Sequence, residues 1–267
     1  MHILEKIVKY KRGEVAIRKL DKSIGLLTQS PYFESKCLSF KKYLTAPELS
    51  GVIAEFKRKS PSKGIINDES KVKDVALGYA KAGVSCMSVL TDNEFFGGNN
   101  DDLKAARTTL MNPILRKDFV VDEYQIFEAK AIGADAILLI AACLTQNEVK
   151  KFSALAQSLG LQVLLEVHTE EEVDHYCETV DMIGVNNRNL KDFSVSVDFS
   201  HNLLPKLPWA AVKISESGIN NPQVAANLQI AGFDGLLIGE SFMKTSQPEI
   251  ACAEFIESLT KFKLQTA

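Results

Sequence analysis

Long apolar runs are what this chain of 267 residues most plainly lacks. No stretch approaches the roughly 18 residues of a membrane-spanning helix, and the amino-terminal MHILEKIVKYKRGEV has no apolar centre of the kind a secretion signal needs. We therefore expect no membrane partner and a cytoplasmic protein. Cysteine is scarce and unpaired in sequence: Cys37, Cys86, Cys143, Cys177 and Cys252 form no C-x-x-C motif. Their odd number and apolar neighbours predict buried, reduced thiols in place of a disulfide framework. There are four histidines. His168, His175 and His201 are spread apart, and although Glu166-x-His168 has the look of a ligand pair, no further ligand accompanies it, so no metal site is expected. Excess positive charge is missing too. A net charge of −3 argues against a nucleic-acid partner.

Against that background the cluster Glu55-Phe56-Lys57-Arg58-Lys59-Ser60-Pro61-Ser62-Lys63-Gly64 stands out. It gathers cations immediately after an apolar run, Gly51–Ala54, and suits a small anionic ligand better than a polymer.

Short apolar runs recur along the chain. Strands are predicted at Val52–Phe56, Cys86–Leu90, Ile114–Arg116, Ala136–Ile140, Gln162–Glu166, Met182–Val185, Ala211–Ile214 and Gly235–Ile238. They are rich in Val, Ile and Leu without clean alternation, as parallel strands covered on both faces are. Helices are predicted between and after them, at Lys71–Ala82, Leu103–Thr109, Glu123–Ile132, Gln146–Leu159, Glu170–Glu178, Phe199–Leu204, Pro222–Ile230 and Pro248–Lys261. Thr145 is a fitting N-cap, Pro222 suits a first helical position, and Gly83, Gly133, Gly160 and Gly232 each close a helix before the next strand. Eight strand-then-helix units in strict alternation predict the α/β class and a closed (β/α)8 TIM barrel, with residues 1–267 as one barrel domain. An open doubly wound sheet is the alternative, but it would carry a glycine-rich loop after its first strand, and none is present. Helical patterns at Ile3–Lys11 and Pro31–Tyr43 predict an amino-terminal helical extension over residues 1–48. Trp209, just before the seventh strand, is expected to pack at the opposite end from the site.

Active sites of such barrels lie at the carboxyl ends of the strands. Those ends carry Glu55 and Lys57, then Ser60-Pro61; Arg116-Lys117-Asp118-Phe119; Glu166; Asn186-Asn187-Arg188-Asn189; Ser215-Glu216-Ser217-Gly218; and Gly239-Glu240-Ser241. Glu55 and Lys57 are two apart and share a face of the first strand. If that face is the interior, Lys57 stands in the mouth with Glu55 one layer below, and Lys117 and Glu166 reach similar depths. Two lysines and several carboxylates so close would shift one another's pKa values, as acid/base catalysis near neutrality requires. A lone lysine could merely rest its stem on the rim; this many charges at one end of one barrel fit that plainer account less well. Gly218 and Gly239 lie in the loops after the seventh and eighth strands, where barrels often hold phosphate on backbone N–H groups.

These motifs together resemble the indole-3-glycerol phosphate synthase family. The resemblance rests on E-x-K…S-P at Glu55–Pro61, L-T-D…F-F-G-G at Leu90–Gly98, L-R-K-D-F at Leu115–Phe119, L-L-E-V-H at Leu164–His168, I-G-V-N-N-R-N-L at Ile183–Leu190, S-E-S-G-I at Ser215–Ile219 and L-I-G-E-S at Leu237–Ser241. It runs in order from about Ile3 to Phe262. It implies a carboxy-lyase of tryptophan biosynthesis that closes an indole ring on 1-(2-carboxyphenylamino)-1-deoxyribulose 5-phosphate, with loss of CO2 and water and with no cofactor. By resemblance Lys117 is the general acid, Lys57 the carboxylate-binding cation, and Glu166 the acid/base for dehydration. Asn186 would bind substrate hydroxyls, Glu55 and Glu216 would orient the lysines, and Ser217 would lie beside them. Arg188 would position a carboxylate or loop, and Arg58 and Lys59 would be solvated or steering charges. The phosphate would rest on the backbone of Gly218, Gly239 and Glu240 with help from Ser60 or Lys57. Pro61, Phe96, Phe119, Leu138, Leu190 and Ile238 would wall the aromatic ring. Two positions depart from the expected pattern: Glu240, whose backbone alone suits a phosphate, and Asn189, where many relatives are expected to carry an acid. A monomer is expected, with at most weak association with other tryptophan-pathway enzymes, and no fused isomerase domain after the eighth helix. The rival readings are a Schiff-base aldolase using Lys57 or Lys117, a sugar-phosphate isomerase barrel, and a binding protein that kept the fold.

Overall fold

A computed structural model describes residues 3–190 and 192–266, the last two by backbone alone. Residues 1 and 2 of the expected extension lie outside the described residues. Eight parallel strands close into a barrel: β1 (Val52–Phe56), β2 (Cys86–Leu90), β3 (Ile114–Lys117), β4 (Ala136–Ile140), β5 (Gln162–Val167), β6 (Met182–Asn186), β7 (Val212–Glu216) and β8 (Gly235–Ile238). Each strand pairs with its chain neighbours, and β8 returns to β1 with Val52 opposite Leu236 and Ala54 opposite Ile238.

The strands are buried on both faces, which is why their sequences look uniformly apolar. Alternation survives in which core each residue joins. Val52, Ala54 and Phe56 pack outward against the helices, whereas Ile53 joins Leu115, Leu138, Leu164, Met182 and Ile214 inside the barrel. The inner apolar layer stops near the carboxyl ends, where the same inward phase brings Glu55, Lys117, Glu166, Asn186 and Glu216 to the mouth. The phase is tight. A Cβ added at Gly184 would lie 2.1 Å from Glu216 Oε1, so only glycine leaves room for that carboxylate inside the barrel.

Helices start and stop for local reasons. Thr145 and Glu148 form a reciprocal capping box at Gln146–Ser158, and Asn221 caps Pro222–Ala231 with Pro222 leading. Gly83, Gly133, Gly160 and Gly232 all have positive φ at helix ends.

Five expectations need correction. Helix α1 runs from Ile3 to Asp21, well past Lys11; Gly13 costs only about 1 kcal/mol there and no proline interrupts it. Conversely, Pro31–Tyr43 is not one helix. Turns follow Ser30, and the Ser39 hydroxyl accepts from Lys42 N–H, so a helix begins only at Phe40 and ends at Leu44. Glu170–Glu178 forms just a 3-10 segment, Glu171–His175, in a stretch where Glu170 and Asp174 place like charges at helical spacing. Trp209 does not pack: it is 92% exposed at the tip of a turn closed by Ala211 N–H to Pro208 C=O. All five thiols are free; Cys86 and Cys252 are buried, but Cys37, Cys143 and Cys177 are only half-buried.

α1 lies across the barrel mouth. Its Lys11 is wholly buried, with Nζ 2.9 Å from Asp92 and 3.0 Å from Asp118, both in loops at the strand ends. Val15 packs with Leu27, Tyr124 and Ala131. None of the described helices is long and apolar enough to cross a membrane.

Candidate active site

Lys117 extends from the end of β3 into the mouth, surrounded by carboxylates from three other strands. Its Nζ is 2.6 Å from Glu216 Oε2, 3.4 Å from Glu166 Oε2 and 3.9 Å from Glu55 Oε2. Lys57 stands above Glu55 at 2.7 Å. Glu166 also meets His168 Nε2 at 3.2 Å, and its carboxylate takes a hydrogen bond from Asn186.

The electrostatics follow from this packing. Burial alone would lower the Lys117 pKa, but Glu216, Glu166 and Glu55 outweigh it and hold the ammonium charged far above the usual lysine range. Burial would raise Glu166, yet Lys117, His168 and Asn186 hold it well below the ordinary carboxylate range. Glu55 is likewise lowered, burial being overcome by Lys57 and Lys117. Glu216 goes the other way. Burial and the neighbouring Glu166 and Glu55 charges exceed the pull of Lys117, and its pKa is pushed up to about 7. His168, buried but facing Glu166 and Glu172, is raised to about 9. The cluster thus sets the Lys117 ammonium beside two firm anions, with Glu216 the carboxyl that holds a proton most readily.

Two connected chambers open above this cluster. The first, about 150 Å3, has Lys117, Glu166 and Asn186 at its base and mostly apolar walls. Ser60, Pro61, Phe96, Phe119, Leu138 and Leu190 line it, with the Phe96 and Phe119 ring centroids 5.9 Å apart. The second, about 480 Å3, is bounded by Ser217, Gly218, Gly239 and Glu240 and by the cations Lys57, Lys63, Arg188 and Lys244. Glu55, Lys57, Arg188, Ser217 and Glu240 border both. Glu216 lies beneath, reaching the site through Lys117. One elongated site therefore offers an apolar slot at one end, a cationic pocket rimmed by backbone at the other, and acid/base groups between them. The Glu240 side chain is not idle. Its Oε2 lies 3.4 Å from Arg188 Nη2, and Arg188 Nη1 is 3.5 Å from Ser62 Oγ, so three loops meet over the second chamber.

Three expected positions fall elsewhere. Ile238 packs in the outer layer and borders only the second chamber, while its neighbour Leu237 points inward and borders both. Arg58 and Lys59 are not free steering charges. Arg58 lies over the Phe56 ring at 4.8 Å and donates to Asp102 at 2.9 Å, and Lys59 donates to Glu94 C=O. The outward directions of Ile238 and Arg58 follow from strand phase, since the residue after an inward one points outward.

The sequence reading missed the roof. Ile3, Leu4 and Ile7 of α1 border the apolar chamber, as do Leu90, Ile140 and Phe193. The apolar spacing of Ile3, Leu4 and Ile7 was visible, but nothing local says what such a face covers. His168 enters the sequence reading as a possible metal ligand and in the L-L-E-V-H motif; its place two residues after Glu166, just past β5, is the available signal for a partner role.

A family model described as indole-3-glycerol phosphate synthase matches residues 4–255. The chain is 46% identical over 257 residues to an indole-3-glycerol phosphate synthase of Bacteroides thetaiotaomicron, covering 96% of this chain and 98% of that one. It is 43% identical over 258 residues to a protein of the same name from Polaromonas sp. strain JS666, covering 94% and 97%. Among solved structures, a mutant tryptophan synthase alpha-subunit from Pyrococcus furiosus shares the fold, with a TM-score of 0.60, 14% identity, and coverage of 80% of this chain and 99% of that one.

Proposed function

This chain belongs to the indole-3-glycerol phosphate synthase family, and from that premise we propose how its residues divide the reaction. The activity is ring closure of 1-(2-carboxyphenylamino)-1-deoxyribulose 5-phosphate to indole-3-glycerol phosphate, CO2 and water, a carboxy-lyase step of tryptophan biosynthesis. The substrate is a small sugar phosphate with an aromatic carboxylate.

The aromatic ring enters the apolar slot between Phe96, Phe119, Leu138, Leu190 and Pro61, with Leu237 completing the wall that Ile238 does not. The phosphate lies in the second chamber on backbone N–H groups of Gly218, Gly239 and Glu240, with Lys57 at its edge, while Ser60 borders only the apolar chamber. The ribulose carbonyl then falls beside Lys117. The ring carbon bearing the carboxylate gives its electron pair to the carbonyl carbon, and the oxygen gains negative charge. Lys117 stabilises that charge and donates a proton to it, since an alkoxide is basic enough to take one even from a strongly held ammonium. Lys57 holds the carboxylate until the C–CO2 bond breaks and the pair returns to the ring.

Dehydration follows. Asn186 holds a substrate hydroxyl, and Glu166, relaying a proton through the cluster, assists departure of the new hydroxyl as water and removal of a proton from the adjacent carbon. Two protons go to oxygen and one leaves carbon, which balances the loss of the carboxylate as CO2. Glu55 and Glu216 keep the lysines in place, Ser217 lies beside them, and Arg188 ties the loops above.

The observation that carries this division is Lys117 held among Glu216, Glu166 and Glu55 at the base of the apolar chamber, with Glu55 bordering both chambers. The test is indole fluorescence during turnover with no metal or cofactor added. Lys117→Ala is expected to abolish turnover while indole-3-glycerol phosphate still binds. Near-normal turnover in that variant would overturn the assignment. The reading includes monomeric action, checked by sedimentation equilibrium, and a cytoplasmic location suited to five free thiols.

A further inference from the structure

Asn187 follows the proposed catalytic Asn186 and faces the other way. It is 4% exposed and lies behind the site, between the ends of β6 and β7 and the helix Asp198–Leu203. Every polar group it has is used. Its backbone N–H donates to Glu216 C=O at 2.9 Å, and its C=O accepts from Ser196 N–H at 3.2 Å. Its Oδ1 accepts from Ser200 N–H at 3.1 Å and from the Ser200 hydroxyl at 2.8 Å. Its Nδ2 donates to Ser215 Oγ at 3.0 Å and to Ser217 C=O at 3.0 Å. A backbone N–H on one side and a backbone carbonyl on the other leave a single way to orient the amide. Ser215 and Ser200 are wholly buried and share a 2.7 Å hydrogen bond, so the network is closed and rigid.

The bond to Ser217 matters because of where Ser217 sits. Its φ is +68°, a left-handed conformation that a residue with a side chain adopts at a cost of about 1 kcal/mol or more. Gly218 follows with φ +75°. Such a turn needs a partner that prefers it over the flipped peptide. In a trans peptide the C=O of one residue and the N–H of the next point in opposite directions. With Ser217 C=O drawn inward to Asn187, Gly218 N–H is directed away from it, toward the second chamber that both residues border. That N–H makes no hydrogen bond to any described protein group.

We propose that Asn187 is a positioning residue for phosphate recognition: by fixing Ser217 C=O it orients the Gly218 N–H toward the substrate phosphate. This rests on the placement of the phosphate in the second chamber. Asn187 touches no substrate atom, so its loss is expected to weaken phosphate-dependent binding and to spare the chemical step.

The experiment compares the wild-type enzyme, Asn187→Asp and Asn187→Ser by steady-state kinetics, with inorganic phosphate as a competitive probe. Asp keeps the side chain's shape and its acceptor but loses the donor when ionised. Ser introduces no charge and does not reach Ser217, which covers the case in which a buried carboxylate prevents folding. The expected result is a KM and a phosphate inhibition constant raised about tenfold in each folded variant, the loss of one well-oriented hydrogen bond to an anion, with kcat changed less than about twofold. Partial recovery of Asn187→Asp at acid pH, where a protonated carboxyl donates again, is expected as well. If phosphate competes with substrate in the wild type but both constants are unchanged in the variants, Asn187 does not orient the site. A fall in kcat at constant KM would assign it a purely structural role and also overturn the proposal. If phosphate fails to compete even in the wild type, the placement of phosphate in the second chamber fails first and this inference falls with it.

Discussion

Replacing Lys11 by Met removes the charge that fastens α1 over the site while keeping most of the side chain's volume. Lys11 is wholly buried, with Nζ 2.7 Å from Glu14, 2.9 Å from Asp92 and 3.0 Å from Asp118. Removing one member of a buried ion pair costs about 3–5 kcal/mol, because the partners stay behind uncompensated. Asp118 retains Thr91, Arg116 and its neighbouring backbone. Asp92 keeps only the Phe95 and Phe96 N–H groups, so its charge suffers most. The apolar grip of α1 comes chiefly from Ile7 and Val15, worth about 1.5–3 kcal/mol each when fully buried. The electrostatic loss is thus as large as the grip, and α1 is expected to detach locally while the barrel stays folded. Amide hydrogen exchange should show protection collapsing across Ile3–Asp21 and holding in β1–β8. Kinetics should show a raised KM, because Ile3, Leu4 and Ile7 leave the roof of the apolar chamber and Asp92 loosens its hold on Phe96. Unchanged protection in α1, or global unfolding with α1 and the barrel losing protection together, would refute this account of how the roof is held.

Other consequences follow from the same cluster. His168 has its pKa raised to about 9, burial being overcome by Glu166 and Glu172; the folded state therefore binds its proton more tightly than the unfolded chain. Its contribution is complete below pH about 6.5 and is lost as pH rises through about 9, up to roughly 3 kcal/mol. Thermal melts of the wild type and His168→Gln should accordingly differ most near pH 6 and converge above pH 9, and a constant gap would show that His168 stays neutral. Gly184→Ala places a Cβ 2.1 Å from Glu216 Oε1, which must push the carboxylate off Lys117. A drop in kcat of tenfold or more with little loss of secondary structure by circular dichroism is expected, and normal turnover would show that the Glu216–Lys117 contact is dispensable.

Much of this protein was legible in its residue order, for reasons that are local. Strand and helix signals repeat with glycine stops, and eight such units leave few ways to close a sheet. On β1, two-residue spacing was enough to put Glu55 and Lys57 together, because inside and outside alternate on any strand. The same rule did not settle β8. Gly235–Ile238 is apolar throughout, so its inward phase is invisible until the register with β1 and β7 selects Leu237 over Ile238. The helical pattern from Ile3 was readable, but its place over the mouth depends on Lys11 meeting Asp92 and Asp118, far away in sequence and close only once the barrel exists. Asn187 is the sharpest case. Beside Asn186 it is chemically identical, and only the fold turns one amide toward the chamber and the other toward Ser200, Ser215 and Ser217. Residue order determined the barrel and its ring of charges, since periodicity and residue type act within a few positions. The roof, the depth of each carboxylate and the direction of the Gly218 N–H were decided by tertiary contacts, which depend on distances that no local pattern encodes.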